Sequence, residues 1–148
     1  MPMTATPAFA QTPYFKSASL AAVTACSTRA PTVTASLAAA NIIALTATST
    51  NGVRIDSIQV QACSTSITAA SANQTVLIWM WDGTTAYVID EIQVTATTPS
   101  VSAPAFTVQK YYTNPILVPA ANVLYCSTTV TTTAATTALT VNAFGGAY

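Results

Sequence analysis

A succession of short β-branched runs, each closed by a turn signal and with no helical periodicity between them, constrains this chain most. Ile42 to Thr48 is apolar and β-branched, and Asn51-Gly52 follows, a dipeptide that suits a tight hairpin because both residues tolerate positive φ. Val53 to Ala62 is the next strand, then Ser64 to Asn73 is a connection of small residues. Gln74 to Trp81 is a strand ended by a second hairpin signal, Asp82-Gly83, and Thr84 to Ala96 returns. Thr97 to Pro104 is a loop holding two prolines, and Ala105 to Tyr112 a strand. Asn114-Pro115 turns into Ile116-Leu117-Val118, and Pro119 to Asn122 is a further turn. Val123 to Thr131 and Ala138 to Phe144 complete the series. Strands of this length and spacing predict an all-β chain, an antiparallel β-sandwich or jelly roll.

Residues 1–20 read differently. Pro2, Pro7 and Pro13 alternate with Phe9, Tyr14 and Phe15. Proline removes main-chain donors and blocks regular pairing, yet the aromatic rings need burial. An extended N-terminal arm over 1–20, docking its rings on a neighbour, satisfies both; 21–148 then forms a single sandwich domain. Between about 20 and 41 the chain is rich in Ala, Thr and Ser, and Ser36 to Ala40 suits a helical turn or a weak strand equally. Ala8-Phe9-Ala10 before Gln11 resembles a signal-peptidase site, but too few residues precede it for a cationic start and an apolar stretch.

Residues 55–62 (IDSIQVQA) and 89–96 (IDEIQVTA) match at six of eight positions. In both, the apolar parity slips after the Asp, which predicts a β-bulge. The two segments are equivalent strands of two sheets, or a chance match.

Charge is nearly absent: four Lys+Arg, four Asp+Glu and no His in 148 residues. A quarter is usual for soluble domains. Lys16, Arg29, Arg54 and Lys110 are scattered, so no basic patch suits nucleic acid. Long uncharged stretches such as Ser57 to Trp81 are studded with Ser, Thr, Gln and Asn, so no segment reads as a membrane span. A surface so poor in charge points to a protein covered by copies of itself or by a partner.

The same residues argue against catalysis. Without histidine the Ser-His-Asp and Cys-His arrangements are unavailable. Cys26, Cys63 and Cys126 are widely spaced with small apolar neighbours, which predicts buried free thiols; one inter-subunit disulfide is the alternative. Gly52, Gly83, Gly145 and Gly146 form no phosphate loop. Of the carboxylates Asp56, Asp82, Asp90 and Glu91, only Asp56 and Asp90 offer a pair for glycosidase chemistry, and only if they meet in a cleft. No enzyme, cofactor or metal site is expected.

Val76-Leu77-Ile78-Trp79-Met80-Trp81 is apolar at both parities. Such a strand is covered on both faces. One cover is the sandwich core; the other is a loop, an arm or another subunit.

The order of NGVRIDSIQV, VLIWMWDGTTAYVIDEIQV, NPILVPAANVLYCSTTV and TVNAFGGAY, from Ile42 to Tyr148, resembles the small jelly-roll decoration proteins that cement tailed-bacteriophage heads. That resemblance implies a homo-trimer on the outer capsid surface, at or near threefold positions, with terminal arms engaging the major capsid protein. It also implies a virion location, after assembly in the bacterial cytoplasm. Phe9, Tyr14, Phe15, Trp79, Trp81, Phe144 and Tyr148 are the aromatic candidates for subunit or capsid contacts. The rival reading is a fibre or tail-tip module that recognises host glycans through Trp79, Trp81 or Tyr87.

Overall fold

The structure, a computed structural model, describes residues 12–33, 42–47 and 49–148. Among them are nine strands: β1 (Thr12–Leu20), β2 (Thr32–Val33), β3 (Ile43–Ala44), β4 (Val53–Ala62), β5 (Gln74–Trp81), β6 (Thr85–Val94), β7 (Thr107–Val118), β8 (Val123–Thr128) and β9 (Leu139–Ala147). They form two antiparallel sheets, a four-stranded one in the order β1-β9-β4-β7 and a five-stranded one in the order β2-β6-β5-β8-β3.

Setting aside the two-residue β2, the pairings β1 with β9, β3 with β8, β4 with β7 and β5 with β6 describe one long double-stranded ribbon. Its tip is the turn at Asp82-Gly83. Folding the ribbon over brings β9 beside β4 and β8 beside β5, which is the jelly-roll arrangement. The tip is built by local chemistry. The Asp82 carboxylate oxygen accepts the N–H groups of Thr84 (2.9 Å) and Thr85 (2.8 Å), and Gly83 takes φ of 103°.

The inter-sheet core is filled by alternate residues of both sheets, including Leu20, Ile55, Ile58, Val60, Val76, Ile78, Leu124, Leu139 and Val141. The opposite face of β5 is covered from within the chain. Leu77 and Trp79 pack with Cys26, Ile42 and Ala86, flanked by Trp81, Val88 and Tyr125. Main-chain ties hold the Cys26 segment in place: Cys26 N–H to Thr128 C=O (2.7 Å) and Thr132 N–H to Val23 C=O (2.9 Å). A loop, rather than a neighbouring subunit, thus covers the second face of the doubly apolar strand.

Several expectations change. The arm expected over 1–20 does not include 12–20, because Thr12–Leu20 is β1 and pairs with β9 throughout, from Thr12↔Ala147 to Leu20↔Leu139; residues 1–11 lie outside the described residues. Pro13 is tolerated there because β1 is an edge strand. Phe9 and the candidate turn at 36–40 lie outside the described residues. Asn51-Gly52 makes no hairpin: it leads from β3 to β4, which lie in different sheets. The strand expected over 42–48 shortens to β3. Asn114-Pro115 is no turn between strands but lies within β7, where the register against β4 jumps from Ile55↔Ile116 to Ser57↔Tyr111.

Both phase slips mark bulges. Asp56 is the extra residue of β4, between Ile55↔Gly145 and Ser57↔Phe144. Ile89 is the extra residue of β6, between Trp79↔Val88 and Ile78↔Asp90. The two segments lie in different sheets. Of the three cysteines, Cys26 and Cys126 are buried free thiols, whereas Cys63 is free but exposed. Burial pushes the Cys126 thiol up to about 12, which keeps it protonated and inert.

Candidate interaction surface

Strand pairing assembles side chains on the outer face of the four-stranded sheet that are distant in sequence. Since neighbours along a strand point to opposite faces, each register row across β1, β9, β4 and β7 shares one face. One row reads Phe15, Phe144, Ser57 and Tyr111. The next reads Ser17, Asn142, Gln59 and Gln109, and the third Ser19, Thr140, Gln61 and Thr107. On the other side lies Pro13, Gly146, Arg54 and Leu117.

This face is almost uncharged. Its one cation, Arg54, is neutralised by Asp56 beside it (2.9 Å). Phe15 and Phe144 stack across strands with ring centroids 5.2 Å apart, yet Phe15 stays 60% exposed. Tyr111 (74%) and Leu117 (61%) are similarly open, which is costly for residues of this size. Between them the polar groups satisfy one another: Asn142 Nδ2 donates to Gln59 Oε1 (3.2 Å) and Gln109 Nε2 to Ser57 Oγ (3.0 Å). An apolar rim around a self-bonded amide row is wettable, but little is lost when it is covered.

The aromatic candidates separate. Phe15 and Phe144 lie on this face. Tyr148 lies one residue beyond β9 and is half-buried; its N–H reaches Gly52 C=O (3.4 Å) and its C=O accepts Asn51 Nδ2 (3.2 Å). Tyr14 faces inward against the core, where burial raises its phenol pKa. Trp79 is fully buried and donates Nε1–H to Ser127 Oγ (2.9 Å), so it presents nothing to a capsid or glycan. Trp81 is half-buried against Tyr125, with centroids 6.4 Å apart. Of the aromatics proposed for glycans, Tyr87 alone is openly exposed, at 42%. Tyr111, Leu117, Gln59, Gln109 and Asn142 were not singled out by sequence; simple alternation marks them, but only once the strand order is known.

The carboxylates belong to separate, satisfied groups. Asp56 pairs with Arg54 on β4. Asp90, on β6, binds Lys110 Nζ and accepts the Tyr112 hydroxyl (2.6 Å), both from β7. This cluster ties the rims of the two sheets together. Burial works against the Asp90 charge, but Lys110, Tyr112 and the Glu91 N–H outweigh it and hold its pKa below the usual carboxylate range. Burial and the adjacent carboxylate push the Tyr112 phenol up. Among the described residues, no group of three or more His, Cys, Asp or Glu is placed to hold a metal ion, and no helix is long and apolar enough to cross a membrane.

A depressed Asp90 pKa contributes stability that is present above the unfolded value, about 3.9, and is lost as pH falls through the folded value. Urea midpoints taken from pH 7 to pH 2 should therefore show Asp90→Asn destabilised at neutral pH but converging on the wild type in acid. A constant offset across that range would mean the cluster does not titrate as described.

No family model, curated protein or solved structure matches the chain.

Proposed function

We propose that this protein is a non-catalytic structural subunit of a virion, a jelly-roll domain that decorates and cements a bacteriophage head. The observation that carries the proposal is the outer face of β1-β9-β4-β7, uncharged but for the Arg54–Asp56 pair, with Phe15, Tyr111 and Leu117 exposed around a self-satisfied amide row. Such a surface suits contact with another protein better than contact with nucleic acid or an anionic membrane, both of which select for cations. Jelly rolls occur in viral capsid domains and in lectins alike, so the fold alone does not choose between them. The sequence resemblance supplies the phage head, the major capsid protein as partner and the trimer. The loop cover over Trp79 removes one reason for a trimer, and the burial of Trp79 weakens the glycan-binding alternative.

The mechanism is linkage. A subunit that binds only the assembled shell stabilises it, and several weak contacts on one oligomer multiply. Purified particles should carry the protein, and cryo-EM should place it on the head exterior. Attachment should change less than about fivefold between 50 mM and 1 M NaCl, because apolar and main-chain contacts outlast a Debye length of about 3 Å. Particles without the chain, density on the tail alone, or release at 1 M NaCl would each overturn this reading. Light scattering after gel filtration tests the trimer, and a monodisperse monomer at micromolar concentration would exclude it.

A further inference from the structure

We infer that the free edge of β1 is a docking site for an extended segment of a partner protein that carries a carboxylate opposite Lys16. The inference rests on the attachment reading above and names the strand that performs it.

Sheet edges are templates for further pairing, and proteins blunt them with short strands, bulges, prolines or charges. Three of the four edges here are blunted among the described residues. β2 and β3 have two residues each. β7 is broken by the register jump opposite Asp56 and contains Pro115. β1 carries Pro13 and Lys16, but it is neither short nor bulged: nine residues pair with β9 in unbroken register, and no described strand lies on its other side.

The direction of its main-chain groups can be worked out. Tyr148 donates its N–H to Gly52 across the β9–β4 boundary. Main-chain groups alternate sides along a strand, so even residues of β9 face β4 and odd ones face β1. The β1 partners of those odd residues are Thr12, Tyr14, Lys16, Ala18 and Leu20. Pro13, Phe15, Ser17 and Ser19 therefore turn their main chain outward. Proline, which has no N–H to offer, stands at an outward position, as edge strands require. The free donors are the N–H groups of Phe15, Ser17 and Ser19.

Charge selects the occupant. Arg29 pairs with Glu91, Arg54 with Asp56 and Lys110 with Asp90, while Asp82 is engaged in its own turn. Those are all the carboxylate side chains of the sequence, so among the described residues Lys16 is the one cationic side chain without an ion-pair partner. It lies exposed at the middle of β1. For an added antiparallel strand Lys16 occupies a non-hydrogen-bonded position, where opposing side chains come closest. A second copy paired about the middle of β1 would set Lys16 against Lys16, which is destabilising; a carboxylate there is favourable.

The probe is an acetylated, amidated octapeptide of alternating Thr and Val with one central Glu, added at millimolar concentration to the ¹⁵N-labelled full chain. Amide hydrogen exchange is the readout. In the free protein the Phe15, Ser17 and Ser19 amides should exchange fast while those of Lys16 and Ala18 stay protected. The peptide should slow the three outward amides at least tenfold. A Gln peptide should bind roughly three- to fivefold more weakly. Ser17→Pro should abolish binding while Lys16 and Ala18 remain protected, and Lys16→Glu should reverse the preference towards a Lys peptide. Three results overturn the inference. The outward amides are already protected in the free chain, they become protected only as the protein itself is concentrated, or the peptide leaves them unprotected. Particle binding separates the two readings: Ser17→Pro that still decorates heads refutes the edge and spares the function, and a wild-type chain absent from heads does the reverse.

Discussion

Replacing Gly145 with alanine is expected to lower the melting temperature by about 10 °C or to prevent folding. A Cβ at this position would sit 1.7 Å from the carbonyl oxygen of Arg54 and 2.9 Å from the Cα of Ile55. Both are main-chain atoms at the Asp56 bulge, so no side chain can swing aside. Either β4 or β9 must move, and both are interior strands of their sheet. Overpacking of this kind costs about 3 kcal/mol, at about 2–4 °C per kcal/mol for a domain of this size. Gly83→Ala is the control: nothing lies within 4 Å of its added Cβ, and only the positive φ is strained. That substitution should cost about 1–2 kcal/mol. Calorimetry of both variants decides the matter, and Gly145→Ala melting within 2 °C of wild type would disprove the close approach.

Trp79→Ala is expected to cost about 3–5 kcal/mol, the range for emptying a buried aromatic site. The side chain is fully buried, and its loss also leaves the buried Ser127 hydroxyl without its indole partner. Tyr87→Ala, at an exposed position, should change stability by less than about 1 kcal/mol. Denaturant titration separates the two. If Trp79→Ala keeps wild-type stability, the loop over β5 is not the cover described.

The local elements were legible where one short stretch carries its own signal. β4 and β5 run from Val53 to Ala62 and from Gln74 to Trp81, as their β-branched runs indicate, and Asp82-Gly83 makes its hairpin. The parity slips at IDSIQVQA and IDEIQVTA located both bulges. What escaped depends on partners far along the chain. Asn51-Gly52 looks like a hairpin because its dipeptide does, yet the strands it joins pair elsewhere. Pro13 argues against regular pairing unless its side of the strand is known to face outward. The cover over Trp79 is a Thr- and Ala-rich segment with weak local preference, held by Thr128, Thr131 and Thr132 about a hundred residues away. The outer face of β1-β9-β4-β7 was half visible. Phe15 and Phe144 stand out in the sequence as aromatics, but Tyr111, Leu117 and the amide row join them only through the register.

The ribbon also sets an order of events during synthesis. β9 is the last of the nine strands to leave the ribosome, yet it lies between β1 and β4. While it is still in the exit tunnel, β1 has no partner and β4 lacks one of its two. The five-stranded sheet does not wait for β9, because every strand in it precedes residue 129. The core contacts of Leu20 and Ile58 with the second sheet therefore become secure only when Leu139, Val141 and Ala143 arrive between them. Closure that waits on the most distant segment is slow and leaves apolar strand edges open meanwhile. The four-stranded sheet is thus most exposed to mispairing just before β9 emerges.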